Sequence, residues 1–365
     1  MHILIAPNAF KNSLTADDAA RAILQGLQQS RLSFTAECFP VADGGDGTGD
    51  LLIKKLGATV IEAPAHDPLG RMRQASFGLI GETAIIEMAN ASGLRLLDND
   101  QRDPLHATSC GTGDLIRAAL DHKARHIILG MGGSATVDGG VGILTALGVR
   151  IFENEIDTTD LDPRLADTRL TVLCDVNNPL LGPRGAAAVF GPQKGATPEA
   201  VQQLELRLQH LAGLIYKTTG KEIATLPSGG TAGGAAAGLY GVLRAELVDG
   251  IDYFLQLTGF DKALDNTNLV ITGEGSIDKQ TLQGKGPFGV ASRAKMRKLP
   301  VIGLAGLLPL EKDPQLDQYF DALLPINHQL LPLAEALTQT AANLTATARA
   351  IGNLLGSDIT RLGRK

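Results

Sequence analysis

Glycine-rich loops, each placed directly after a short apolar run, are the feature that most constrains this chain. Glycine supplies 43 of the 365 residues, against an average of roughly 7%, and no collagen-like period organises it. Three loops concentrate it beside acids and hydroxyls: Asp43-Gly-Gly-Asp-Gly-Thr48, Gly130-Met-Gly-Gly-Ser-Ala-Thr-Val-Asp-Gly-Gly140 and Thr272-Gly-Glu-Gly-Ser-Ile-Asp278. Such loops form where backbone must approach something closely. The apolar runs at 2–6, 34–39, 126–129, 170–174, 268–271 and 300–304 suit strands of a sheet covered on both faces. Helical patterns at 15–28, 49–56, 110–120, 198–218, 288–296 and 333–355 alternate with them, and Thr15 is placed to cap the first. Strand–helix–strand order predicts parallel sheets with helices on their faces. Between 59 and 88 three short strands follow one another without helices, which predicts an antiparallel or mixed patch. Residues 228–243 are Gly/Ala-rich and read as one tightly packed internal helix.

The fold class expected is α/β with two domains. A Rossmann-like parallel-sheet domain comes from both chain ends, 1–65 and 260–365. A second α/β domain, 66–259, is inserted in the middle, with the active site in the cleft. The chain's length fits about two domains at ~150 residues each.

Composition excludes several functions. A net charge of −6 argues against a duplex-binding surface. The absence of Trp and an aromatic content of 4% do not support base-stacking platforms. No window approaches the ~18 apolar residues of a membrane span. Three cysteines, Cys38, Cys110 and Cys174, lack the spacing of a disulfide framework or a zinc site. The histidines read as surface or structural. The N-terminal apolar run is too short and interrupted for a signal peptide, so the expected location is the cytoplasm. The basic tail 361–365 reads as a frayed end.

The loops carry chemistry in their residue types. Asp43 and Asp46 lie three apart on a backbone of minimal bulk, able to hold Mg²⁺ or to activate a hydroxyl. In the second loop, amides of Gly132, Gly133 and Ser134 can face an anion, and Ser134 and Thr136 add hydroxyls. Its Gly130-x-Gly132-x-x-Ala135 spacing also meets the looser dinucleotide fingerprint, with Glu153 near the position of the ribose-binding acid, so a dehydrogenase is the competing reading. Glu274 and Asp278 can ligate a metal or orient a substrate, and Lys285 can offset phosphate charge. Lys11-Asn-Ser13 follows the first strand, and Arg184 and Lys194 are basic groups in glycine-flexible settings. No G-x4-G-K-[ST], G-x-S-x-G or H-E-x-x-H motif is present. What remains is equipment for phosphoryl transfer by positioning and electrostatics; a non-catalytic sugar-acid sensor would not need so many acid-bearing loops.

These residues resemble a known family. Pro7-Asn-Ala-Phe-Lys-Asn-Ser-Leu-Thr15, Pro40-Val-Ala-Asp-Gly-Gly-Asp-Gly-Thr48, Glu87-Met-Ala-Asn-Ala-Ser-Gly93, the 130–140 loop, Cys174-Asp-Val-Asn-Asn-Pro-Leu180 with Gly182-Pro-Arg-Gly-Ala, and Thr272-Gly-Glu-Gly-Ser-Ile-Asp-Lys-Gln-Thr281 with Gly284-Lys285 are similar to the blocks of bacterial type-1 glycerate kinases. Val137 and Ser276 depart from that pattern, where asparagine and arginine are commoner. The resemblance implies ATP-dependent phosphorylation of D-glycerate with Mg²⁺, usually to 2-phosphoglycerate, with 3-phosphoglycerate as the other product. On that footing Asp43 or Asp46 handles the hydroxyl proton, and Gly132, Gly133, Ser134, Thr136 and Lys285 meet the nucleotide. Asp138, Glu274 and Asp278 are candidates for the metal or for orienting substrate. Lys11, Ser13 and Arg71 are candidates for the glycerate carboxylate or the moving phosphate.

Overall fold

The structure, a computed structural model, describes residues 1–357 apart from Gln280 and Lys312; the basic tail at 361–365 lies outside the described residues. The strands are β1 His2–Ile5, β2 Thr35–Cys38, β3 Thr59–His66, β4 Met72–Ile80, β5 Thr83–Glu87, β6 His126–Gly130 and β7 Arg150–Ile151. They continue with β8 Ile156–Asp157, β9 Arg169–Cys174, β10 Glu246–Asp249, β11 Leu269–Ser276, β12 Val301–Leu307 and β13 Ala322–Pro325. The chain divides into two compact units: Met1–Asp43 with Phe254–Lys365, and Gly44–Tyr253.

The terminal unit holds a five-stranded sheet in the order β13-β12-β11-β1-β2, every pair parallel. β1 is apolar and buried from Ile3 to Ile5, as a strand covered on both faces must be. Thr15 caps the helix Ala16–Gln28 by accepting from the Asp18 amide. That helix lies along Thr340–Leu355, and Ile23, Leu27, Leu344 and Ile351 close the core over Ile3 and Ile271. The expected C-terminal helix is two, Leu333–Thr338 and Thr340–Leu355.

The middle unit holds a six-stranded sheet, β10-β9-β6-β5-β4-β3. β5, β6, β9 and β10 run parallel, and β3, β4 and β5 are antiparallel. The mixed patch follows from connection length: Gly70 and Gly81, both at positive φ, close short turns, and short turns can join only antiparallel strands. The unit begins at residue 44, where the sequence reading put a boundary near 65. Helix Thr48–Leu56 packs on β4 and β5, so closely that a Cβ on Gly78 would lie 2.3 Å from the Ile53 side chain. At the other end the division falls within helix Gly250–Leu257. That helix, β10 and the small β7–β8 hairpin carry no strong sequence signal and were not anticipated.

The Gly/Ala-rich stretch is helical only over Ala235–Leu243. Ser228, Ala232, Gly233 and Gly234 all take positive φ, which helical backbone cannot accommodate. The glycines serve close approach: a Cβ on Gly233 would stand 2.0 Å from the Thr136 carbonyl oxygen, and one on Gly238 2.0 Å from that of Gly139. Among the described residues, no helix is long and apolar enough to cross a membrane.

Gly26, inside helix Ala16–Gln28, gives a prediction with inverted sign. A Gly-to-Ala change in a helix interior ordinarily gains up to ~1 kcal/mol. Here the new Cβ would sit 2.2 Å from the Thr345 carbonyl oxygen, so Gly26→Ala is expected to lose about 1–3 kcal/mol through overpacking. A lowered urea midpoint checks it; an unchanged or raised midpoint refutes the tight helix pair.

Candidate active site

In the terminal unit β1 leads through a helix to β2 on one side, while β11, β12 and β13 progress on the other. The strand order therefore reverses between β1 and β11, and ligands of open α/β sheets bind outside the carboxyl ends at such a point. The loops after β1, β2 and β11, with the end of β11 itself, bring Asn8, Lys11, Asp43, Glu274 and Lys285 together there. Asp43 is buried, and its Oδ2 accepts from Asn8 Nδ2 at 2.8 Å and from the Gly286 amide at 3.3 Å. Gly286 opens the helix Gly286–Met296, with Lys285 as its N-cap residue. Glu274 Oε1 accepts from the buried Thr281 hydroxyl at 3.0 Å, and that hydroxyl also accepts from the Asp278 amide.

Burial pushes the Glu274 carboxyl up to about 7. Lys285 and Lys11 pull it down, and the charge on Asp43 pushes it further up. Two largely buried carboxyl groups, the charge of Asp43 acting on Glu274, with lysines near, form an oxygen donor set suited to a hard divalent cation.

In the middle unit the 43–48 loop folds on itself through Thr48, whose hydroxyl accepts from the Gly44 amide at 3.1 Å and donates to the Gly45 carbonyl at 2.7 Å. Gly132 packs on this loop so tightly that a Cβ would stand 2.0 Å from the Asp46 nitrogen. Gly133, at φ +69°, lies under the Asp46 side chain; a Cβ there would be 2.8 Å from Oδ1. Arg95 Nη1 stands 3.7 Å from the same oxygen.

Two residues whose roles the sequence reading missed build this arrangement. Glu87, fully buried at the end of β5, accepts from the Gly47 amide at 3.2 Å and the Gly49 amide at 2.5 Å. Cβ atoms on Gly49 and Gly130 would each lie 2.8 Å from its Oε2, so both glycines exist to admit this carboxyl group. Its signal was an acid closing the apolar run 83–88. Lys194, expected as a phosphate or carboxylate ligand, is buried beneath the second loop instead. Its Nζ donates to Ser134 Oγ at 2.8 Å and to the Thr136 carbonyl at 2.7 Å. Burial pushes the Lys194 ammonium down to about 7, against the charges of Asp138 and Asp175.

The geometry revises several expectations. Ser13 Oγ donates to the Leu337 carbonyl at 2.6 Å, so its proton is committed and only lone pairs remain, the wrong polarity for an anion. Arg71 Nε donates to the buried Asp67 carboxylate at 2.6 Å, which clips the β3–β4 turn. Asp138 uses both oxygens within its own surroundings, accepting from the Ser109 amide and hydroxyl and the amides of Gly140 and Gly142. That is a loop-capping pattern, with both oxygens engaged by neighbouring protein groups. Ser134 and Thr136 point inward and are buried; within 130–140 only Gly133 is exposed. The dehydrogenase reading fails on the same loop. The helix after β6 starts at Val141, too late to present its N-terminus at Gly132, and Glu153 is exposed beside the β7–β8 hairpin.

Glu87 predicts a pH dependence. Burial, with the charges of Asp46 and Asp50, pushes its carboxyl up to about 8 against the two glycine amides. The folded chain therefore holds a proton that the unfolded chain releases near 4.5, and stability falls as pH rises from about 4.5 to about 8. Glu87→Gln keeps an oxygen acceptor without a titration. The stability difference between wild type and variant is expected to move in the variant's favour, by an order of a few kcal/mol, as pH rises through that window. Parallel urea midpoints at pH 5 and pH 8.5 that show no such drift refute the buried acid.

With this geometry established, similarity to known proteins is informative. A sequence profile described as the Glycerate kinase family matches residues 3–356. The chain is 43% identical to a glycerate kinase of Bacillus subtilis (strain 168), over 96% of this chain and 97% of that protein. It is 39% identical to the glycerate 2-kinase of Escherichia coli (strain K12), over the whole of both. Its structure matches a crystal structure of a Salmonella typhimurium LT2 protein designated glycerate kinase 2, with a TM-score of 0.80 at 41% identity, covering 97% of this chain and 98% of that one. A match that runs almost end to end, through every loop described above, leaves one conclusion: the chain belongs to the glycerate kinase family.

Proposed function

We propose that this protein is an ATP-dependent kinase that phosphorylates D-glycerate to 2-phosphoglycerate. The acid–lysine cluster at the β1/β11 switch point carries the reading. It offers Lys11 and Lys285 for phosphate charge and Asp43 and Glu274 for a cation, in the position where α/β sheets bind ligands. The product assignment rests on similarity to the Escherichia coli glycerate 2-kinase.

In this reading the glycerate hydroxyl attacks the γ-phosphorus of ATP while its proton passes to Asp46. The bond from phosphorus to the β,γ-bridging oxygen breaks, and ADP leaves. Asp46 suits the base because its side chain is half exposed, 52%, and Gly133 and Arg95 fix its position. Asp43 and Glu274 would hold Mg²⁺, which when bound neutralises charge on the phosphate oxygens. Asp278 orients the substrate's second hydroxyl. Of the residues expected at the nucleotide, Gly133 meets it directly, while Gly132, Ser134 and Thr136 shape the loop from within, backed by Lys194. Ser13 and Arg71 act on loop geometry, and Asp138 holds the loop rather than the metal. The substrates are small molecules, and the cytoplasm supplies the ATP.

The direct test is ADP release dependent on both D-glycerate and Mg²⁺–ATP, with phosphorus NMR of the product. A 2-phosphoglycerate signal is expected. No glycerate-dependent ADP overturns the reading, and a 3-phosphoglycerate signal overturns the position. Asp46→Asn should lower kcat by ~10²–10⁴-fold, the usual contribution of a general base, with little change in the KM for ATP. Wild-type turnover in that variant returns Asp46 to a turn residue.

A further inference from the structure

We propose that His66, Cys110 and Asp114 form a binding site for a thiophilic divalent metal ion of the zinc type, separate from the residues assigned to phosphoryl transfer. His66 ends β3. Cys110 and Asp114 stand four residues apart at the start of helix Cys110–Asp121, so they share a helix face. The ring nitrogen, the sulfur and a carboxylate oxygen all lie within 4.8 Å of one another. Forty-four residues of chain separate His66 from Cys110, which is why no ligand spacing showed in the sequence.

The distances suit a tetrahedron. With metal bonds of ~2.3 Å to sulfur and ~2.0–2.1 Å to nitrogen and oxygen, the tetrahedral edges are about 3.5 Å for sulfur–nitrogen and about 3.3 Å for nitrogen–oxygen. Cys110 Sγ is 3.7 Å from His66 Nδ1, already at such an edge. His66 Nδ1 and Asp114 Oδ2 are 2.7 Å apart, sharing a hydrogen bond, and need to open by about 0.6 Å when a cation replaces the proton.

Both partners converge on the same ring nitrogen. A Cys–His–Asp relay of the hydrolytic kind needs them on opposite nitrogens, so this trio is not a nucleophile with its base. One Nδ1 proton serves Asp114 and leaves the sulfur facing the same nitrogen, an arrangement that a cation between them satisfies. The scaffold is fixed by backbone: a Cβ on Gly111 would stand 1.8 Å from the His66 carbonyl oxygen, and the His66 amide donates to Asp114 Oδ2 at 3.0 Å. The side chains of His66 and Asp114 are 35% and 13% exposed, and Cys110 is half-buried, so the trio is reachable from solvent. Arg117 approaches the other carboxylate oxygen, Oδ1, at 4.0 Å.

On binding, the metal forms bonds to sulfur, Nδ1 and Oδ2; the thiol proton passes to solvent, and the imidazole stays neutral by changing tautomer, its proton leaving Nδ1 and one being taken up at Nε2. Thiolate and carboxylate then balance the dication. Sulfur and imidazole ligands select zinc, cadmium or cobalt over magnesium. The ion would clamp the end of β3 to the start of the helix, one residue from Ser109, which holds Asp138.

Cobalt(II) titration of the full-length protein tests this. One equivalent is expected to give a thiolate-to-cobalt charge-transfer band with tetrahedral d–d bands, both abolished by zinc. Cys110→Ser should remove the charge-transfer band, and Asp114→Asn should weaken binding at least about tenfold; Cys38→Ser should change nothing. Wild-type protein showing no charge-transfer band, only octahedral bands, or a band that survives in Cys110→Ser overturns the proposal. Because wild type alone can give the negative result, a variant that fails to fold does not protect it, and glycerate kinase activity plays no part in the readout.

Discussion

A protonatable carboxyl group buried at the end of β5 organises the glycine-rich loops at that edge of the middle unit's sheet. Glu87 sits where an added Cβ on Gly49 or Gly130 would collide with it, and its oxygens take up the amides of Gly47 and Gly49. Burying such a group without partners costs several kcal/mol; with two amides it becomes a fastener. It ties the loop that carries Asp46 to the carboxyl ends of β5 and β6. Gly132 then lies on the Asp46 backbone and Gly133 beneath its side chain. The glycines of these loops mostly make room for protein, and only secondarily for a ligand.

The same economy runs through the second loop. Lys194 fills its underside and takes Ser134 and Thr136 as acceptors, while Gly233 and Gly238 bring another segment into backbone contact with it. A buried ammonium is costly unless well partnered, and here nearby Asp138 and Asp175 only partly offset the burial that pushes it down to about 7. The loop's backbone and its inner hydroxyl are thus held by partners from within the protein.

Much of this was legible in the residue order. Short apolar runs alternating with helical patterns announced parallel sheets, and the turn residues of 59–88 announced the antiparallel patch. Lys11, Asp43, Glu274 and Lys285 could be singled out because they lie at or after the carboxyl ends of strands, where the loops of a parallel sheet meet, and the structure gathers them at one sheet edge. Ser13, Arg71 and Asp138 show the limit. Each has the right residue type in the right loop, but a hydrogen bond to Leu337, Asp67 or Ser109 commits its polar atoms elsewhere. Residue type records what a side chain can do, not which partner claims it.

Local chemistry, period and motif, all carried by neighbours along the chain, therefore determined the α/β class, the family and the acid-bearing loops. Tertiary structure alone decided which glycines face protein, that Lys194 and Glu87 lie inside, where the units divide, and that His66 meets Cys110 and Asp114. Those facts depend on contacts between residues tens to hundreds of positions apart. Such contacts are set by packing and desolvation of the folded whole, and nothing in the local order of residues encodes them separately.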